Sequence, residues 1–114
     1  MTEAPGPLLA VGLMSGTSLD GVSAALVRVR EPEPEDYRVE LVAETTLAFS
    51  GERQARINGA ILRGTPRELA LLNMELGEWF AEAALALLKT AKVAPRDVAV
   101  IGSHGQTIWH EPRR

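Results

Sequence analysis

An apolar run empties into a turn rich in glycine and hydroxyls, and a second apolar run follows at once. Residues Val11 to Gly21 read Val-Gly-Leu-Met-Ser-Gly-Thr-Ser-Leu-Asp-Gly, and Val22 to Val29 continue beyond them. Two strands joined by a short turn are the expected local structure. Gly16 and Gly21 permit backbone angles closed to other residues and allow a ligand close to the main chain. Thr17 and Ser18 add hydroxyl donors, and exposed turn amides can form an anion-binding concavity. An ordinary tight hairpin, its turn made by Asp20-Gly21, accounts for the same residues. Both readings are open on the residues alone.

A related pattern recurs near the carboxyl end. Val98 to Ile101 is a short apolar run with a β-branched majority, as in a buried strand. It leads into Gly102-Ser103-His104-Gly105-Gln106-Thr107, a glycine-bracketed set of small and hydrogen-bonding residues expected to form a loop. Ligands of open α/β sheets bind beyond the carboxyl ends of strands. If the first and fourth strands run parallel with adjacent carboxyl ends, the two segments form two walls of one site.

Between these segments the pattern is regular. Residues 1–7 are expected to be a flexible tail. Leu8 to Met14, Val22 to Arg30 and Tyr37 to Phe49 read as strands, the third with Val39, Leu41 and Ala43 on one face. Glu31 to Asp36, rich in proline and carboxylates, is expected to be a solvated connection that cannot continue a ladder. Ser50 suits the cap of a first helix running to about Leu62. Thr65 can cap a second helix, with Pro66 at its first position and Glu68 completing a capping box. Leu69, Leu72, Leu76, Trp79 or Phe80, Ala83 and Leu87 repeat at helical spacing, with an end near Ala91; Trp79 and Phe80 are expected core anchors. Ala94 to Asp97 turns the chain into the fourth strand. The order β-β-β-α-α-β predicts a mixed sheet with helices packed on it.

Composition narrows the function. The 114 residues suffice for one domain with a modest core, at 46% apolar and net charge −3. Mild acidity and few aromatics argue against a nucleic-acid surface. The absence of cysteine excludes disulfides, thiolate nucleophiles and cysteine-ligated zinc. No apolar run approaches the roughly 20 residues of a membrane span, and the first residues do not resemble a secretory signal; a cytoplasmic location is expected. No Gly-x-x-x-x-Gly-Lys-Ser/Thr loop is present.

Taken together, Leu-Met-Ser-Gly-Thr-Ser-Leu-Asp-Gly and Ile-Gly-Ser-His-Gly-Gln-Thr-Ile-Trp-His-Glu-Pro resemble the amino-terminal part of the anhydro-N-acetylmuramic acid kinases. The resemblance covers residues 8–114. It implies an incomplete ribonuclease H-like lobe of the actin and hexokinase type. It further implies ATP and Mg2+ as cofactors, a small amino sugar as substrate, and a homodimer as a possible assembly of the full-length family. In that family, 1,6-anhydro-N-acetylmuramic acid is hydrolysed and phosphorylated to N-acetylmuramic acid 6-phosphate during peptidoglycan recycling.

By the same resemblance, Gly16, Thr17, Ser18, Leu19, Asp20, Gly21, Val22 and Ser23 form the ATP phosphate segment. Ser23 stands where the family usually carries aspartate. Asp20 is a candidate to hold Mg2+ through water, or else a turn residue bonding nearby amides. His104 and Gln106 border the sugar; a histidine tying two loops together is the alternative for His104. The water-activating aspartate of the family lies downstream, and none of Asp20, Asp36 and Asp97 is a substitute, so no catalytic residue is expected here. A truncated, non-catalytic module and another kinase of the same superfamily are the alternative functions; the Ser-His-Gly-Gln-Thr segment weighs against the latter.

Overall fold

A computed structural model describes residues 6–109 and residue 111. Among these, the elements in chain order are β1 (Leu8–Ser15), β2 (Gly21–Glu33), β3 (Asp36–Ala48), α1 (Gly51–Arg63), α2 (Pro66–Ala91), one 3-10 turn (Pro95–Asp97) and β4 (Val98–Gln106). The sheet order is β3-β2-β1-β4. β1, β2 and β3 form an antiparallel meander, and β4 lies parallel to β1. A parallel neighbour needs a long crossover, which α1 and α2 supply. The expected mixed sheet and the adjacent carboxyl ends of the first and fourth strands are both observed, and the fold is compatible with an incomplete actin or hexokinase-type lobe. No helix among the described residues is long and apolar enough to cross a membrane.

Local chemistry explains where the helices begin and end. Ser50 accepts the Arg53 N–H at 3.1 Å, and Thr65 accepts the Glu68 N–H at 3.1 Å, each satisfying a donor with no partner inside its helix. Gly64, at φ +56°, ends α1 by donating its N–H to Ala60 at 2.8 Å. The reciprocal half of the expected capping box is not made. The Glu68 carboxylate instead accepts from Arg56 of α1 at 2.8 Å, and Arg56 also donates to Glu75 at 3.0 Å. A cation within reach outcompetes a local amide. The two carboxylates, Glu75 foremost, raise the Arg56 pKa above its ordinary value.

One face of the sheet carries the core. Val11 and Leu13 of β1 and Val22, Ala24 and Leu26 of β2 pack beneath Ile57 of α1 and Leu72, Phe80, Ala83 and Leu87 of α2. Trp79 and Phe80 are buried, as expected. Phe49 meets Trp79 edge to face at 5.7 Å, and the Arg53 guanidinium sits 4.8 Å above the indole while pairing with Glu82.

Three sequence expectations are corrected. First, Glu31 to Asp36 does continue the ladder: β2 runs to Glu33, which pairs with Asp36 around a two-residue turn with Glu35 at φ +66°. Pro32 sits where the register shifts between Arg30 and Glu33, and Pro34 sits in the turn, so neither missing N–H breaks a regular pair. Second, Val39, Leu41 and Ala43 do not share the buried face. Ala43 pairs with Leu26 but Leu41 pairs with Val27, so Val42 is an extra residue; Leu41 and Val39 are left exposed. Third, Gly102 to Gln106 is strand and not loop, because β4 stays paired with β1 as far as Ser15. The expected tail, 1–7, lies largely outside the described residues; Gly6 and Pro7 are exposed and irregular.

Candidate functional site

Residues 16–20 join β1 to β2 at the end of the sheet where β4 also finishes. Three carbonyl oxygens of this connection, and that of Gly21 at the start of β2, are held by the fold. Gly16 O accepts from the Leu19 N–H at 3.3 Å and from Gln106 Nε2 at 2.7 Å. Leu19 O accepts from Gln54 Nε2 of α1 at 3.0 Å. Asp20 O accepts from the Phe49 N–H at 2.9 Å. Gly21 O lies 2.7 Å from the hydroxyl of Ser15.

The donors are placed differently. Among the described residues, the N–H groups of Gly16, Thr17, Ser18 and Asp20 have no hydrogen-bond partner, nor do the Thr17 and Ser18 hydroxyls or the Asp20 carboxylate. Thr17, Ser18 and Asp20 are exposed. A connection in which three of five carbonyls are held and four of five amides are free suits an anion. The Asp20 carboxylate does not bond nearby amides, so its turn-forming role is not realised.

The two glycines differ. A Cβ on Gly21 would lie 2.8 Å from Ala48 Cα and nearer still to the Leu47 oxygen, so β3 requires glycine there. A Cβ on Gly16 would meet nothing within 4 Å, and Gly16 does not adopt a left-handed angle. The expected unusual backbone falls instead on Leu19, at φ +56°. That angle costs a leucine about 1–2 kcal/mol. Its side chain, 8% exposed, is anchored in the core. Val22 is likewise buried, and Ser23 is exposed on the sheet face away from the helices.

A bulge joins the site's two walls. Leu13 pairs with Ser103 but Ser15 pairs with Gln106, so β4 carries one extra residue, with Gly105 at φ +80°. This brings Gln106 opposite Ser15, the one buried polar side chain among the described residues. Ser15 Oγ lies 2.5 Å from Gln106 Oε1, and its single proton serves either this oxygen or Gly21 O. Gln106 Nε2 donates to both Gly16 O and Thr107 O, the latter at 2.9 Å. The tie between the walls is therefore Gln106. His104 is exposed and makes no hydrogen bond among the described residues.

Two grooves flank the end of β4, each of about 580 Å³. The first lies between β4 and α2, with Leu72, Leu76, Phe80 and Ile101 as its wall. The second lies on the opposite sheet face, where Ser23, Thr46, Gly102 and Glu44 line it. His104 borders both. Ser23 brings no charge to the second groove, where Glu44 is the carboxylate among the described lining residues. No cluster of three metal-ligating side chains occurs among the described residues. Asp97 sits at the far end of β4, and Asp36 is paired with Arg38, so neither reaches the site.

Ser15 and Gly105 lie within the two motifs, where no role was expected of them, and Gln54 and Glu44 lie outside both. The bulge glycine was the available signal for the first pair. Gln54 is brought in by helix packing and has no local signature.

The family model described as anhydro-N-acetylmuramic acid kinase matches residues 8–114. The chain belongs to this family. It is 46% identical over 106 residues to the anhydro-N-acetylmuramic acid kinase of Caldanaerobacter subterraneus subsp. tengcongensis, covering 91% of this chain and 26% of that protein. The kinase of the same name from Bacillus thuringiensis subsp. konkukian is 41% identical over 106 residues, covering 91% of this chain and 28% of that protein. The Bacillus cereus protein of that name is 40% identical over 105 residues, covering 90% and 27%. The chain thus spans about a quarter of the length of the curated relatives it matches.

Proposed function

We propose that this chain supplies the phosphate-holding part of an ATP-dependent kinase that opens 1,6-anhydro-N-acetylmuramic acid with water and transfers a phosphoryl group to its O6. The product is N-acetylmuramic acid 6-phosphate, and ATP as donor places the reaction in the cytoplasm, in peptidoglycan recycling. The observation that carries this reading is the polarity of residues 16–20, where held carbonyls and free amides sit at a strand end of a chain belonging to this kinase family.

Phosphoryl transfer asks the protein mainly for positioning and charge stabilisation. The Gly16, Thr17 and Ser18 amides, with the two hydroxyls, hold phosphate oxygens. Leu19 and Val22 take no direct part; their burial fixes the shape of the segment. Asp20, exposed and unpaired, fits a Mg2+ ion held through water better than a full cage of ligands, since that ion keeps most of its hydration. Magnesium, when bound, supplies neutralisation of phosphate charge. His104, at the rim of both grooves, donates to a sugar hydroxyl or a phosphate. Asp36 and Asp97 do not reach the site and Asp20 is given to the metal, so the general base is assigned to the part of the relatives' length that this chain does not span.

The test is a hybrid in which residues 8–114 replace the matched quarter of the Caldanaerobacter relative. ADP release that needs both ATP and the anhydrosugar is expected from the hybrid, and none from the 114-residue chain. A soluble, folded hybrid without sugar-dependent turnover would count against the reading.

A further inference from the structure

We propose that Gln106 and Gln54 are positioning residues that aim the N–H groups of Thr17 and Asp20 at the anion. The kinetic part of this inference rests on the nucleotide reading above; the geometric part does not.

The peptide unit is planar and trans, so its C=O and the following N–H point in opposite directions. Holding Gly16 O on Gln106 Nε2 therefore turns the Thr17 N–H away from β4. Holding Leu19 O on Gln54 Nε2 turns the Asp20 N–H away from α1 in the same manner. Both N–H groups are left without a partner among the described residues. The hold on Gly16 matters most, because glycine opposes a flip of the following peptide less than any other residue. A flipped unit would present a carbonyl oxygen where a phosphate oxygen is to sit.

Gln106 is suited to this task and poorly suited to grip a sugar. Both of its N–H bonds are used, on Gly16 O and Thr107 O, and its oxygen faces Ser15 Oγ. The Gly105 bulge and the buried Ser15 serve to place it. Glutamate has the same shape but no donors, and would set carboxylate oxygens against two carbonyls. Asparagine keeps the donors on a stem one methylene shorter.

The decisive test uses amide hydrogen exchange in the 114-residue chain. Gln106→Ala should speed exchange of the Leu19 N–H, which bonds Gly16 O, at least tenfold, and leave α2 unchanged. An unchanged Leu19 rate overturns the proposal whatever any enzyme assay gives. In the hybrid kinase, Gln106→Glu and Gln54→Ala should raise the KM for ATP at least tenfold and move the KM for the anhydrosugar less than twofold. Gln106→Asn should recover part of the loss. A rise confined to the sugar KM would make Gln106 a sugar ligand and overturn the assignment. A lowered melting temperature with both KM values unchanged would overturn it as well. A wild-type hybrid without turnover sinks the kinase reading alone, and the exchange rates still decide this one.

Discussion

Gly16 and Gly21 bracket the same connection, yet alanine should have opposite consequences at the two positions. At Gly21 the added Cβ would lie 2.8 Å from Ala48 Cα and closer to the Leu47 oxygen, inside the 3.0 Å that such atoms keep. Both obstacles are backbone of a paired strand, so neither can swing aside as a side chain would. β3 has to move away from β2 where Gly21 pairs with Ala48. Overpacking of this kind costs typically about 1–3 kcal/mol, and the rigidity of the obstacle puts Gly21→Ala at the upper end, about 3 kcal/mol. For a domain near this size that lowers the melting temperature by about 12 °C or more. At Gly16 the Cβ enters open space and the backbone angle is an ordinary one. Gly16→Ala should therefore leave stability within about 0.5 kcal/mol, or raise it slightly by restricting the unfolded chain. Thermal and urea unfolding of the two variants, followed by circular dichroism, reads both effects. A Gly21→Ala protein that melts with wild type, or a Gly16→Ala protein that falls as far as Gly21→Ala, would refute this account of the connection.

Three further outcomes are expected. Asp20→Ala should leave melting unchanged, as its carboxylate bonds nothing among the described residues, while lowering kcat/KM for ATP in the hybrid by about ten- to a hundredfold if it holds the metal through water; parallel titrations with Mg2+ check this. Trp79→Ala should cost about 3–5 kcal/mol in urea unfolding, because the indole is buried against Phe49 and beneath Arg53. Thr65→Ala should cost about 1 kcal/mol, read the same way, because the Glu68 N–H loses its partner.

Features set by local chemistry were legible in the sequence. Ser50, Thr65 and Pro66 announce helix starts, and the apolar stripe through Leu72, Trp79 and Leu87 faces the core as its spacing requires. The parallel placement of β1 and β4 follows from a crossover long enough to contain two helices. Features set by pairing across strands were not legible. Gly102 to Gly105 has the composition of a loop, and only its partner β1 makes it a strand. Nothing in Val42 marks it as the extra residue that exposes Leu41 and Val39. Leu19 takes a left-handed angle that leucine rarely adopts, because a buried side chain and a hydrogen bond from Gln54 hold it there. The hydrogen bonds of Gln106 to Ser15 and Gly16 likewise depend on strand pairing and have no mark in the local sequence.

The central claim is that residues 16–20 present their free amides to phosphate. Amide chemical shifts of the 114-residue chain, followed by NMR during titration with ATP and separately with inorganic triphosphate, test it directly. Saturable shifts at Gly16, Thr17, Ser18 and Asp20, produced by both ligands and weakened by salt, are the predicted result. Shifts confined to the grooves beside His104, or none in residues 16–20 at millimolar triphosphate, would contradict it.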